Sequence, residues 1–213
     1  MKLKQIINTG VKVQPIASNP IADFKCGSDQ KEVPPLEIEE VMLIFHKDFG
    51  CARLNEVRDA FIFQCFPGFA YQDIYMLSPE NIMYEGIDRE CWLAKHRGKT
   101  GVNEILPNLP VIEQLIERYK THPVCLVRNT LMPVNSNNNY NGYLKEIGVT
   151  CYIRRELNTH LARHTFADIM LNLGMPLEDV SKMLGHKSIR TTQRYCSVRK
   201  ERIQKNFNEF IRH

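Results

Sequence analysis

No stretch of the 213-residue chain approaches the roughly 20 consecutive apolar residues that a helix needs to cross a bilayer, and no secretory leader pattern is visible. A membrane role is therefore not expected. The seven cysteines, Cys26, Cys51, Cys65, Cys91, Cys125, Cys151 and Cys196, include no Cys-x-x-Cys pair, and their number is odd. That argues against a zinc knuckle or a disulfide frame and for reduced thiols in a cytoplasmic protein. A large excess of charge of either sign is lacking as well, with 28 Lys or Arg against 24 Asp or Glu. A net charge of +4 argues only weakly for a polyanionic partner when taken over the whole chain. The composition, 43% hydrophobic and 24% charged, is that of a globular protein. The length suits one domain with a real core, or one domain with a remnant of another.

The cations are concentrated late in the chain. Between Lys182 and Lys205 stand eight Lys or Arg and a single acid, Glu201. Just ahead of them, Thr159 is a plausible N-cap for a helix in which Leu161, Phe166, Ile169, Met170 and Leu173 recur at helical spacing, with Gly174 placed to end it. His160 and Arg163, three apart, share one face near the positive end of that helix, a setting that suits a phosphate. Pro176 opens a second helix whose apolar side is Leu177, Val180, Met183 and Leu184, with Glu178 and Asp179 near its positive end. Gly185 stops it, His186 follows at once, and Tyr195 stands nine residues further on among basic residues. Two histidines, an arginine and a tyrosine amid cations read as phosphoryl chemistry on a polyanion.

Taken singly, these residues have ordinary explanations. A His-x-x-Arg pair on a capped helix is commonly a solvated face, and a lone tyrosine is commonly half-buried. His160 and His164 have the spacing of two zinc ligands on a helix. The His-Glu-x-x-His pattern, however, needs a glutamate where this chain has Leu161, so no metal is expected. Order and spacing lift the set above its parts. His160-Leu-Ala-Arg163-His164-Thr-Phe-Ala resembles the His-x-x-Arg box of the tyrosine site-specific recombinases, the phage integrase family. Leu184-Gly-His186-Lys-Ser-Ile-Arg-Thr-Thr-Gln-Arg-Tyr195 resembles that family's second box running into its nucleophilic tyrosine. By resemblance, His160, Arg163, His186 and Tyr195 fall on four functional positions, and a mobile element or prophage is the expected source.

Earlier in the chain, residues 1–16 read as a short helix ending near Gly10, and residues 17–35, with Pro20, Gly27, Ser28, Pro34 and Pro35, as a linker. The resemblance makes the first a remnant of a helical DNA-clamping domain and residues 36–213 the catalytic domain. Residues 34–49 read as a helix opened by proline and acids, and 57–66 as a buried apolar helix. Pro67-Gly68 marks a turn, and a further helix is expected near Ala70–Leu77. The family's first box reads Thr-Gly-Leu-Arg with an acid three residues on. Here the run is Pro67-Gly68-Phe69-Ala70 with Asp73, so an alanine stands where the first catalytic arginine is expected. Strands are expected near Ile82–Ile87, Glu90–Arg97 and Val102–Pro107, the last two joined by Gly98-Lys99-Thr100-Gly101. Helices follow at 109–120 and behind the polar run at 135–148. A final helix carries the stripe Ile203, Phe207, Phe210 and Ile211. The expected fold is mainly α with a small three-stranded antiparallel sheet, as in a tyrosine recombinase catalytic domain.

The chemistry this implies is exchange of DNA strands with no cofactor. Tyr195 attacks a backbone phosphate to give a 3′-phosphotyrosine link, Arg163 and His186 bind phosphate oxygens, His160 handles the tyrosine proton, and Lys99 is the implied general acid, with Lys95 in reserve. Asp73 and His164 support from behind, and Lys187, Arg190 and Arg194 are candidate DNA contacts. Arg58 is the candidate substitute for the missing first arginine. Its alternative is to be a buried partner of Asp59, Asp73 or another acid, and Arg97 is the competing candidate. Double-stranded DNA is the expected partner, in a homotetramer assembled through the C-terminal tail. A DNA-binding relative impaired by Ala70, or a type IB topoisomerase-like relaxase, would share these residues.

Overall fold

The computed structural model describes residues 2–13, 18–23, 33–87, 90–96, 103–107 and 109–193. The chain divides into two units, Met1–Glu32 and Val33–His213. In the first, helix α1 spans Lys2–Lys12 and so runs two residues past Gly10. Asn19 Nδ2 donates to Asn8 Oδ1 within the same unit.

The second unit is built around one helix. Helix α3, Ala52–Cys65, is buried at every position from Val57 to Cys65. Over that stretch the helix has no solvent face and must be enclosed by others, and α3 packs against α2 (Ile38–His46), α5 (Pro110–Tyr119), α7 (Asn137–Thr150) and α8 (Thr159–Asn172). It starts five residues before the expected apolar run, because Arg53, Asn55 and Glu56 in its first turns are polar and exposure there is tolerated. Phe61, Ile62 and Phe63 are each fully buried and meet Leu144 and Ile147 of α7 and Phe166 of α8 in a single apolar core. Helix α2 opens with a reciprocal capping box between Glu37 and Glu40. Immediately before it, the Leu36 N–H donates to Thr165 Oγ1 of α8 at 3.0 Å, and Arg155 pairs with Glu40. The start of this unit is thereby fastened to α8.

A buried carboxylate on α3 holds one arginine inside the core and a second that reaches in from the exposed side of α5. Asp59, 1% exposed, accepts from Arg58 Nε at 2.7 Å, from Arg118 Nη1 at 2.8 Å and from the Tyr119 hydroxyl at 2.7 Å. Burial, and then the neighbouring Asp59, push the Tyr119 phenol well up, so it stays a donor at any ordinary pH.

After α3 the chain turns at Pro67-Gly68, makes α4 (Tyr71–Tyr75) and a 3₁₀ turn at Pro79–Asn81, and enters the sheet. Strands β1 (Ile82–Glu85), β2 (Glu90–His96) and β3 (Asn103–Pro107) pair antiparallel in chain order. Leu93 of β2 faces Leu106 of β3 in register, and both are buried. The sheet thus turns that face to the core, while β3 lies along α9 (Leu177–Met183). The hairpin residues 97–102, Lys99 and Arg97 among them, lie outside the described residues.

Two short helices were not anticipated. Helix α6, Pro123–Arg128, has proline at its first position and ends at Asn129 in the left-handed conformation (φ 51°). Helix α10 is Ile189–Gln193. Residues 135–148 hold α7 itself, which begins within the asparagine run and extends to Thr150. The final helix expected after Tyr195 lies outside the described residues.

Candidate active site

Helix α8 owes its position to its start. Asn158, not the expected Thr159, is the N-cap: its Oδ1 accepts from the backbone N–H groups of His160 (3.0 Å) and Leu161 (2.9 Å). Both residues could cap. The difference follows from α7, where Asn141 Oδ1 takes the Thr159 N–H at 3.2 Å and draws Thr159 into the first helical turn. Leu161, Ala162, Thr165, Phe166 and Leu171 then seat the helix in the core, leaving His160 exposed at its outer end.

Arg163, one turn on, points inward and is 3% exposed. Its Nη1 donates to the Gly68 carbonyl and its Nη2 to the Leu184 carbonyl. A single guanidinium thus ties three pieces of chain: the turn after α3, helix α8, and the C-terminus of α9. Leu184 caps α9, Gly185 follows at φ +59°, and the His186 N–H returns to the Ser181 carbonyl at 3.0 Å. His186 is consequently held two residues from the carbonyl that Arg163 grips. Its ring Nδ1 lies 2.8 Å from Thr192 Oγ1 of α10, and Thr192 is fully buried.

The two histidines of α8 stack edge to face, with ring centroids 4.6 Å apart. Removal from water drives the His164 pKa down to about 4, with His160 and Arg163 adding repulsion. Although the residue is exposed overall, partial enclosure of its ring, followed by Arg163, also lowers the His160 pKa. Both rings are therefore neutral near pH 7, and a neutral imidazole can accept a proton.

The turn on the other side of Arg163 carries the remaining residues of interest. Gly68 has φ +66°, and Phe166 and Leu184 close around its α-carbon. Ala70, two residues later, is the N-cap of α4, and Asp73 lies in the first turn of that helix, 7% exposed. The sequence-predicted Arg163, His186 and the box around Ala70 are thus brought together, with His160 one helical turn before Arg163 and His164 directly after it. Lys187 and Arg190 are exposed on the segment beside His186, and Lys182 is exposed on α9. Lys95 shares the core-turned face of β2 with Leu93, and its Nζ donates to the Met76 carbonyl at 3.3 Å. Tyr195, Lys99 and Arg194 lie outside the described residues.

Arg58 is placed differently. Its Nε is bound to Asp59 and its Nη1 to the Lys47 carbonyl, neither of which takes part in the Arg163 cluster. The buried pairing with Asp59, weighed from the sequence as the alternative, is the arrangement observed. Thr192 and the Gly68 and Leu184 carbonyls could not be found from sequence: a buried hydroxyl and two main-chain oxygens carry no signature there.

Among known proteins, the model of the phage integrase family matches residues 85–202. The tyrosine recombinase XerD of Staphylococcus aureus is 29% identical over 195 residues, which is 85% of this chain and 64% of the relative. The chain therefore spans about two thirds of the length of the curated relatives it matches, a little under that fraction. Among solved structures, a lambda integrase dimer bound to a COC′ core site superposes with a TM-score of 0.70 at 17% identity, covering 93% of this chain and 57% of that one. The XerH site-specific recombinase in its post-cleavage complex with palindromic difH substrate gives a TM-score of 0.64 at 20% identity, covering 81% and 52%. The fold is shared with both.

Proposed function

We propose that this chain, which belongs to the phage integrase family, is the catalytic part of a site-specific DNA recombinase that cuts and rejoins strands through a tyrosine–phosphate link. The observation that carries the proposal is the Arg163 node, which gathers the Gly68 turn, the His160 helix and the His186 loop around one buried guanidinium.

In this reading Tyr195 Oη attacks a backbone phosphorus. The P–O5′ bond breaks as the P–O bond to tyrosine forms, leaving a 3′-phosphotyrosine and a 5′-hydroxyl. The tyrosine proton goes to His160, whose lowered pKa keeps it neutral and able to receive it. Lys99 protonates the leaving O5′. Arg163 and His186 bind the non-bridging oxygens, where negative charge builds in the transition state. Attack by a 5′-hydroxyl from a second duplex reverses the sequence, so the link conserves the bond energy. Asp73 and His164 brace these groups, while Lys187, Arg190 and Arg194 meet the flanking phosphates of double-stranded DNA.

Arg58 remains the proposed substitute for the first arginine, and it would have to exchange Asp59 and the Lys47 carbonyl for phosphate. Residues 1–16 are proposed as the end of a preceding DNA-clamping domain, 17–35 as a linker and 36–213 as the catalytic domain. The tail stripe Ile203, Phe207, Phe210 and Ile211 is proposed to join subunits of a tetramer on DNA. The test is a nicked suicide duplex of a candidate site, scored for a protein–DNA adduct. Wild type forms the adduct, and Tyr195→Phe binds DNA with unchanged affinity but forms none. A normal adduct yield from Tyr195→Phe overturns the assignment.

A further inference from the structure

His186 is fixed at its backbone by the return of its N–H to Ser181 and by the Arg163 grip on Leu184. Its ring still has a rotamer and a tautomer to choose. Thr192 meets the ring at one nitrogen, its Oγ1 standing 2.8 Å from Nδ1. Thr192 is 0% exposed, so bulk water does not compete for that contact. It lies on α10, the helix that leads toward Tyr195, three residues further along the chain.

A neutral imidazole carries one proton. To donate from Nε2 to a phosphate oxygen it must leave Nδ1 bare, and a bare Nδ1 removed from water needs a donor. A threonine hydroxyl is such a donor, and valine, its isostere, is not. We propose that Thr192 is a positioning residue, donating its hydroxyl proton to His186 Nδ1 and so holding the ring with its proton on Nε2, aimed at the scissile phosphate. The bond also makes the His186 orientation depend on α10 being seated, which links the ring to the segment that carries the nucleophile. This role rests on the recombinase reading, but the tautomer part of it is a property of the protein without DNA.

Two measurements on the full chain test it. The first is the single-turnover rate of adduct formation on the nicked duplex, with DNA affinity measured alongside, for wild type, Thr192→Val, Thr192→Ser, His186→Ala and the Thr192→Val/His186→Ala double variant. Loss of one such hydrogen bond is expected to slow Thr192→Val about tenfold at unchanged affinity, while Thr192→Ser stays within about threefold of wild type. In the His186→Ala background Thr192→Val should add no further loss, since it acts only through that ring. The second measurement is nitrogen-15 NMR of the histidine rings. Wild-type His186 should show the Nε2–H tautomer, with the Nδ1–H form gaining in Thr192→Val. Thr192→Ala is the second hydroxyl-free variant should valine not fold.

A folded Thr192→Val with wild-type rate and tautomer overturns the proposal. So does an equal further slowing in the His186→Ala background, which would mark Thr192 as a general packing residue. If wild type forms no adduct, the recombinase reading has failed. The ring spectra then decide the Thr192 contact alone: an unchanged tautomer refutes it, and a shifted one upholds it.

Discussion

Gly68 occupies a place that has neither the backbone freedom nor the room for a side chain. With φ at +66°, a Cβ built there would stand 2.3 Å from Phe166 Cδ1, 2.7 Å from Phe166 Cγ and 2.9 Å from Leu184 Cδ2. Phe166 and Leu184 are both fully buried, so neither can swing aside into solvent. Gly68→Ala therefore meets two costs. Holding a non-glycine residue in the left-handed region costs about 1–2 kcal/mol. Overpacking a closed core costs about 1–3 kcal/mol more. The expected total is about 2–5 kcal/mol, which for a domain of this size lowers Tm by on the order of 10 °C. Gly50 is the control that separates the two contributions: its φ is +61°, but nothing lies within 4 Å of an added Cβ. Gly50→Ala should lose about 1–2 kcal/mol, the backbone cost alone. Urea denaturation read as a midpoint shift at unchanged slope is the assay. Equal losses in the two variants would refute the close packing of Phe166 and Leu184 around the turn. The Gly68 carbonyl also accepts from Arg163, so a displaced turn should slow adduct formation even at temperatures where the variant is fully folded.

The buried charge node predicts an asymmetry. Asp59→Ala strands the Arg58 guanidinium in the core and should cost about 3–5 kcal/mol. Arg58→Ala leaves Asp59 still bonded to Arg118 and Tyr119 and should cost about 1–3 kcal/mol; the same denaturation assay measures both, and the reverse order contradicts the node. Comparing the cleavage rates of folded Arg58→Ala and Arg97→Ala then tests the proposed substitution at Ala70, and an unimpaired Arg58→Ala removes Arg58 from it. The depressed His164 pKa makes stability depend on pH. Protons bind the unfolded ring at pH 6.5 but the folded ring only near pH 4, so stability is complete above about 6.5 and is lost as pH falls toward 4. His164→Gln should flatten that acid limb, and an unchanged limb would show that other groups produce it.

The helical core and the order of the elements follow from local properties of the chain. Apolar periodicity marks α5 and α8, prolines and acids open α2, glycines close α8 and α9, and alternation with a turn marks the sheet. The boxes that resemble the family's motifs could be picked out for the same reason: His160, Arg163 and His186 lie close in sequence, and the pattern is carried by their side chains. Tertiary structure decided what distant residues do to one another. Asn141 on α7 moved the cap of α8 from Thr159 to Asn158. Asp59 was placed to receive Arg58 and Arg118 together, so a cation that looked available from sequence became part of the core. Main-chain oxygens at Gly68 and Leu184 became the partners of Arg163, and every residue has such an oxygen, so none announces itself. Periodicity records which face of a segment avoids water. It does not record which polar atom of another segment will meet a buried guanidinium or a ring nitrogen, because that meeting is set by the packing of whole helices against α3.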